Sequence, residues 1–214
     1  MYMEFIGVPN IGTGRGPSIA KDQGALPSSQ FIMSEPVAKR FETQTVVVTG
    51  STRGIGKSIA HRFAEEGATV VVTGRSTQEG EAVTESIEDD GGNAVFVYAD
   101  MRNPDDIAAL FEATVEKFGG IDVLVNNAAV QTETAADEAT HDDWELVIET
   151  DFRAYWLCAK HASEHMEKGS IINISSNHTF STMPSHFPYN AVKSGINGMT
   201  RAMALDFGPN IRVN

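Results

Sequence analysis

The chain has little cysteine, few basic residues and no long apolar run. Cys158 is the only cysteine among 214 residues, so an internal disulfide is excluded and a reducing, cytoplasmic location is expected. Lysine and arginine number 16 against 29 acidic residues, and the formal net charge of −13 repels phosphate backbones and anionic membranes. We find no apolar run of membrane-spanning length and no export signal. We therefore expect neither nucleic acid nor a membrane as a partner.

Two regions of different character follow one another along the chain. Residues 1–43 are rich in Gly, Pro and Ser and show no sustained period of a helix or strand, so we expect a flexible N-terminal extension. Residues 44–214 alternate short apolar runs with amphipathic segments, and the 41% hydrophobic content of the chain allows one sizeable core. The second region is therefore the expected functional domain.

Strands and helices alternate throughout the second region. Apolar runs such as 45–49 are typical of buried parallel strands, and segments such as 105–118 place apolar residues on one helical face. The predicted strands are 45–49, 69–73, 94–98, 122–125, 170–175 and a segment from Ile211 onwards; the predicted helices are 57–66, 79–89, 105–118, 142–168 and 189–207. This alternation predicts an α/β fold with a doubly wound parallel sheet, Rossmann-like, which binds ligands at the carboxyl ends of its strands.

A glycine-rich turn lies between the first predicted strand and the first predicted helix. It reads Thr49-Gly-Ser-Thr-Arg-Gly-Ile-Gly56, with the spacing Gly-x-x-x-Gly-x-Gly. Glycines allow a tight turn and a close approach of the backbone to phosphate, and a helix N-terminus adds N–H groups and a positive dipole end. The position of the turn after the first strand predicts a dinucleotide site.

Tyr189 and Lys193 stand one turn apart at the head of the last predicted helix, so they share a face. A lysine cation about 4 Å from a phenol, at an effective dielectric near 20, is worth about 4 kcal/mol. That energy is sufficient to favour a phenolate near neutral pH, as proton exchange with an alcohol or carbonyl requires. Ordinary amphipathic helices also place Tyr and Lys at this spacing, so the pair depends on the motifs that precede it.

The chain resembles the short-chain dehydrogenases/reductases from about residue 45 to its last residue. Five motifs occur in family order: the glycine-rich turn, Asp100 after the third strand, Asn126-Asn127-Ala128 after the fourth, Ser176 after the fifth, and Tyr189-x-x-x-Lys193. The resemblance implies a nicotinamide cofactor and the interconversion of an alcohol and a ketone or aldehyde by hydride transfer.

The resemblance also implies catalytic roles. Tyr189 is the expected acid/base toward the substrate oxygen, and Lys193 is expected to favour the ionised phenol and to hold the nicotinamide ribose. Ser176 is expected to orient the substrate carbonyl, with Ser175 as the alternative if the loop register differs by one. Asp151 stands where many family members have the asparagine of a proton relay, and its charge is expected to alter that relay.

The same resemblance implies a set of cofactor contacts. The expected contacts are Gly50, Thr52, Arg53, Gly54, Ile55, Gly56, Arg75, Asp100, Met101, Asn127, Ala128, Tyr189 and Lys193. Asp100 is expected to bind the adenine amino group, and Asn126 to pair with backbone beside the ribose. Arg75 ends the second strand, where a carboxylate would favour NAD(H); together with Arg53 it predicts a preference for NADP(H) over NAD(H).

The C-terminal end of the chain keeps a second interpretation open. The sequence stops at Asn214, in the opening of the sixth strand, where family members continue through a substrate-covering segment and a final strand. We therefore expect a sheet without its last strands and a domain incomplete at the C-terminus. The alternative to an enzyme acting on a small-molecule alcohol or carbonyl is a non-catalytic nucleotide-binding scaffold or an inactive fragment. The family also implies a homo-oligomer, either a dimer or a tetramer.

Histidines supply a competing motif and a possible substrate contact. His161-Ala-Ser-Glu164-His165 matches the H-x-x-E-H pattern of zinc peptidases, with both histidines predicted on one helical face but far from the strand ends. No third ligand is evident in the sequence, so no metal site is predicted. His178 and His186, between Ser176 and Tyr189, border the expected substrate entrance; a substrate contact and a solvated loop both remain open.

Overall fold

The computed structural model describes residues 38–214. Most of the extension predicted over residues 1–43 lies outside the described residues. Within the described part, the ring of Phe41 packs edge-on against Phe63, with 4.8 Å between centroids. The guanidinium of Arg40 pairs with the buried carboxylate of Glu66. Residues just before the first strand are therefore fixed to the end of the first helix.

Strands and helices alternate as predicted. The strands are β1 Thr45–Val48, β2 Thr69–Gly74, β3 Asn93–Tyr98, β4 Val123–Asn126, β5 Gly169–Asn173 and β6 Ile211–Val213. The α-helices are α1 Gly54–Glu65, α2 Thr77–Asp89, α3 Pro104–Phe118, α4 His141–Val147, α5 Ala154–Ser163 and α6 Tyr189–Phe207; a π-helical segment, Ile148–Arg153, joins α4 to α5, and a short 3₁₀ helix spans Asn177–Thr179.

The six strands form one parallel sheet in the order β3-β2-β1-β4-β5-β6. The winding direction reverses between β1 and β4, which opens a crevice at the carboxyl ends of these two strands. The predicted doubly wound, Rossmann-like parallel sheet is confirmed. Within residues 38–214, no helix is both long and apolar enough to cross a membrane.

Both faces of the sheet are covered by apolar residues, which explains the valine-rich strands. Val46 and Val48 of β1 pack toward one cluster with Ala60 of α1. Val47, between them, packs into the opposite cluster with Leu110 of α3. Because successive residues of a strand point to opposite faces, a strand buried on both sides is apolar at every position.

Among the boundaries that differ from the prediction, three differences have a local cause. The first helix begins at Gly54 instead of residue 57, inside the glycine-rich turn. The unpaired N–H groups at the start of the helix are therefore those of the glycine-rich residues. The fifth strand ends at Asn173, because its neighbour β4 ends at Asn126, the residue that pairs with Asn173. The single helix predicted over 142–168 contains the π-helical segment and ends at Ser163.

Two glycines inside helices offer a matched test of the packing. A Cβ at position 80 would overlap the ring of Phe96, whereas a Cβ at position 198 would meet only the guanidinium of Arg201, at 3.8 Å. Gly80→Ala is expected to lower the free energy of unfolding by about 2 kcal/mol through overpacking. Gly198→Ala is expected to raise it by up to about 1 kcal/mol through helix propensity. Urea unfolding measures both, and equal effects of one sign would contradict the packing described.

Candidate active site

The glycine-rich turn is held by the end of β4. The side-chain oxygen of Thr49 accepts hydrogen bonds from the backbone N–H groups of Asn127 and Ala128, at 2.9 and 3.0 Å. In return, the Asn127 amide donates to the carbonyls of Thr49 and Gly50, at 2.9 and 3.1 Å. Ser51 ties the turn to β2, because its hydroxyl oxygen accepts from the N–H of Thr73 at 3.0 Å. The turn is therefore preorganised by hydrogen bonds to β2 and to the residues that follow β4.

Two positions in this turn leave no room for a side chain. Gly50 has a φ of +63°, and a Cβ there would lie 2.8 Å from the Cα of Ala128. A Cβ on Gly56 would overlap the carbonyl oxygen of Gly50 and the amide nitrogen of Asn127. Both positions therefore need glycine, and the bare backbone between them can approach a phosphate closely.

A crevice of about 700 Å³ opens above the turn. Eleven of the predicted cofactor contacts line it: Gly50, Thr52, Arg53, Gly54, Ile55, Gly56, Arg75, Asp100, Met101, Asn127 and Ala128. Sequence reasoning missed other lining residues, among them Ser76, Glu79, Val130 and Thr150. The volume is in the range of small-molecule sites, and the glycine cradle with its helix N-terminus suits a diphosphate, so the residues fit a dinucleotide.

The far rim of the crevice carries charges of both signs. Arg53 and Arg75 are exposed there, as their sequence positions suggest. Glu79 shares the rim, and one of its carboxylate oxygens accepts a hydrogen bond from the Thr52 hydroxyl at 3.4 Å. Asp100 uses one carboxylate oxygen to accept the N–H of Arg102 at 3.0 Å. The rim is therefore not purely cationic, and Glu79 opposes the two arginines electrostatically.

Lys193 is buried, and its ammonium has three acceptors within the protein. Its Nζ lies 3.4 Å from the carboxylate of Asp151, 3.3 Å from the hydroxyl of Tyr155 and 3.1 Å from the carbonyl of Ile174. Its exposed fraction is 1%. The same Nζ lies 5.5 Å from the centroid of the Tyr189 ring, so the cation stands over the phenol predicted to be its partner.

Asp151 is fully buried in the π-helical segment. Its second carboxylate oxygen accepts the N–H of Val130 at 2.8 Å. Burial raises the pKa of Asp151 to about 6, although the Lys193 ammonium and the Val130 N–H act against that shift. Burial likewise lowers the pKa of Lys193, and Asp151 only partly opposes this. For both partners, the cost of leaving water exceeds the mutual attraction.

Tyr155 and Asn126 belong to the hydrogen-bond network around Lys193 and Asp151. Asn126 was identified from the sequence, but Tyr155 was not. The hydroxyl of Tyr155 donates to the carbonyl of Ile174 at 3.3 Å, and burial raises the pKa of this phenol well above its usual range. The Asn126 amide donates to Asn173 at 2.9 Å and to the backbone carbonyl of Tyr155 at 3.3 Å. Tyr155 follows Asp151 by four residues, and that spacing could have indicated it.

The predicted substrate-side residues surround the head of α6. Ser176 caps the 3₁₀ helix, its hydroxyl oxygen accepting the N–H of His178 at 3.1 Å. The Ser175 hydroxyl instead donates to the carbonyl of Lys193 at 3.4 Å. The rings of His178 and His186 stack with 4.3 Å between centroids, and His178 meets the half-buried Tyr189 edge-on at 6.2 Å. His178 therefore lies beside the phenol, and His186 stacks on His178.

The predicted placement of the H-x-x-E-H residues on one helical face is wrong. Helix α5 ends at Ser163, so His165 lies beyond it and does not share a face with His161. The ring of His161 stacks on Phe111 at 6.1 Å, and its Nδ1 lies 3.7 Å from Glu164. Among residues 38–214, no group of three His, Cys, Asp or Glu side chains is arranged to hold a metal ion.

The family model of the short chain dehydrogenases matches residues 44–214. The chain therefore belongs to the short-chain dehydrogenase family. It is 39% identical over 171 residues to a 3beta-hydroxysteroid dehydrogenase of Mediterraneibacter gnavus; the match covers 78% of this chain and 62% of that enzyme. It is 40% identical over 183 residues to glucose 1-dehydrogenase 2 of Bacillus subtilis, covering 82% of this chain and 71% of that enzyme.

A solved structure shares the fold. A short chain dehydrogenase of Burkholderia cenocepacia, crystallised in complex with NADP, superposes with a TM-score of 0.79 at 34% identity. The superposition covers 82% of this chain and 73% of that one. Because the chain spans 62% of the length of the hydroxysteroid dehydrogenase, part of that relative has no counterpart in this sequence.

The raised pKa of Asp151 predicts a pH dependence of stability. Between the ordinary aspartate pKa and about 6, the native protein holds a proton that the unfolded chain has released, so the free energy of unfolding falls as pH rises through this window. Asp151→Asn removes this pH-dependent contribution to the free energy of unfolding. Between about pH 5 and about pH 7.5, the variant should therefore gain about 1.4 kcal/mol relative to wild type.

Urea unfolding at several pH values measures this difference. The exposed Asp137, replaced by Asn, is the matched control and should show no such trend. A constant difference between Asp151→Asn and wild type across the range would contradict the raised pKa.

Proposed function

We propose that this protein is an NAD(P)(H)-dependent oxidoreductase that interconverts an alcohol and a ketone or aldehyde. The observation that carries the proposal is the phenol of Tyr189, half-buried beside the strand ends, with the ammonium of Lys193 5.5 Å from its ring. Membership of the short-chain dehydrogenase family supports the reaction class. The hydroxysteroid and glucose dehydrogenases among its relatives are both named for oxidation of an alcohol.

Tyr189 is the proposed acid/base. When bound, the nicotinamide supplies the hydride chemistry, and the protein handles the proton. In oxidation, the ionised phenol accepts the proton of the substrate hydroxyl; in reduction, the neutral phenol returns it to the carbonyl oxygen. Lys193 favours the ionised phenol, because a cation facing a phenolate stabilises it. Ser176, in the loop between β5 and α6, donates a hydrogen bond to the substrate oxygen and fixes the orientation of the substrate.

The glycine-rich turn is the proposed seat of the dinucleotide. The first-turn N–H groups of α1 and the bare backbone at Gly50 and Gly56 suit the diphosphate. Asp100 is the proposed partner of the adenine, and Met101, Asn127 and Ala128 line the same crevice.

NADP(H) is the preferred cofactor in this proposal. Arg75 follows β2, the position from which a side chain reaches the adenosine ribose, and Arg53 adds a second cation. A complex of a solved family member with NADP accords with this preference. Glu79 acts in the opposite direction, because its carboxylate repels a 2′-phosphate.

Substrate contacts are proposed for the loop between β5 and α6, and self-association for two helices. His178 lies beside Tyr189, His186 stacks on His178, and the two offer polar contacts at the proposed entrance. Trp156 and Leu205 expose apolar surface on α5 and α6, which supports a homo-oligomer, a dimer or a tetramer. The single cysteine supports a cytoplasmic location.

Opposite charge changes at the rim test the cofactor preference. Arg75→Gln is expected to weaken NADPH binding about tenfold and to leave NADH binding nearly unchanged, because a charge-assisted contact to the 2′-phosphate is lost. Glu79→Gln is expected to strengthen NADPH binding. Fluorescence titration and kcat/KM with each cofactor measure these effects, with the exposed Arg201 replaced by Gln as control. A clear preference of the wild type for NADH would refute the assignment.

Tyr189→Phe separates an enzyme from a nucleotide-binding scaffold. Loss of the acid/base is expected to lower kcat on a panel of alcohols and carbonyls by at least about 100-fold, while NADPH binding stays within about threefold. Tyr98→Phe, which changes an exposed phenol, is the matched control. NADPH binding without turnover in the wild type would favour the scaffold, and absence of nicotinamide binding would overturn both readings.

A further inference from the structure

The Asp151–Lys193 ion pair is the most deeply buried charge in the described part of the chain. The two residues are 0% and 1% exposed. An ammonium has three N–H donors, and Lys193 has three acceptors at hand in Asp151, Tyr155 and Ile174. Two hydrogen bonds, to Tyr155 and Ile174, and the ion pair with Asp151 therefore hold the ammonium within the protein.

The carboxylate is fixed in its position independently of the lysine. The π-helical segment turns Asp151 inward, and the Val130 N–H holds the oxygen that does not face Lys193. An asparagine at this position would keep the acceptor for Val130 but bring no charge. The aspartate therefore differs from its amide counterpart mainly in offsetting the charge of Lys193.

Few other charges face this pair. From α5 come Tyr155 and Cys158, both neutral, because burial holds the pKa of the phenol far above its usual range and raises that of the thiol to about 12. From the π-helical segment, Glu149 and Arg153 pair with each other at 3.1 Å. From α6 and the preceding loop come Tyr189 itself and the stacked histidines His178 and His186.

We propose that Asp151 is a positioning residue that holds the Lys193 ammonium in place and offsets its charge. Tyr189 therefore ionises only at a higher pH than it would beside a lysine whose charge is not offset. This inference rests on the proposed role of Tyr189 as acid/base. It predicts that the aspartate places alcohol oxidation toward alkaline pH and favours carbonyl reduction at neutral pH, where the phenol keeps its proton.

Asp151→Asn tests the proposal through the pH profile. With NADP at saturation, the midpoint of the rise of kcat/KM for alcohol oxidation is expected to move to lower pH by about one unit, because a charge that opposes the lysine is removed. Asp151→Ser should give the same shift, since it also removes the charge; it serves if the asparagine variant does not fold. Asp137→Asn, at an exposed carboxylate, should leave the profile unchanged. An unchanged midpoint, or a midpoint moved to higher pH, would overturn the proposal.

A second readout does not depend on turnover. Ionisation of Tyr189 can be followed by the ultraviolet absorbance of tyrosinate, with Tyr189→Phe in each background as the blank. The difference titration should move to lower pH in Asp151→Asn even if the protein shows no activity. A shift without turnover in any variant would contradict the proposed function and support the charge compensation by Asp151. Turnover with no shift would support the proposed function and contradict the charge compensation.

Discussion

The burial of the Lys193 ammonium is the constraint on which the site depends. Its three acceptors come from three different elements: Asp151 from the π-helical segment, Tyr155 from α5 and the carbonyl of Ile174 from the end of β5. Burial by itself disfavours the charged form of a lysine, and acceptors of this kind offset that cost. The position of Lys193 beneath Tyr189 therefore depends on the correct docking of all three elements against α6.

This arrangement is costly in free energy. Burial shifts the pKa of Asp151 upward and that of Lys193 downward, so each partner would be closer to neutrality than in water. Ion pairs of this kind are seldom a source of stability, and an apolar pair of similar size often stabilises a fold as well. Charges retained at such a cost, with the ammonium 5.5 Å from the ring of the proposed acid/base, are more readily understood as a functional requirement than as a stabilising one.

Much of the fold could be predicted from the sequence because its local signals agree. Valine-rich runs, intervening amphipathic helices and the glycine turn after the first strand all indicate one parallel sheet. The π-helical segment Ile148–Arg153 could not be predicted, since helical periodicity continues through it and the wider turn depends on tertiary packing. The contact of Lys193 with Tyr155 was missed, although Tyr155 follows Asp151 by four residues. The motif that contains Asn127 could be recognised in the sequence, but its hydrogen bonds with Thr49 could not.

A crystal structure with NADPH bound tests the central claim most directly. We expect the hydroxyl of Tyr189 to face the nicotinamide ring in the crevice above the glycine turn, with Lys193 beneath the phenol and still in contact with Asp151. A structure in which that hydroxyl points away from the nicotinamide, or in which the dinucleotide lies elsewhere than over Gly50–Gly56, would contradict it.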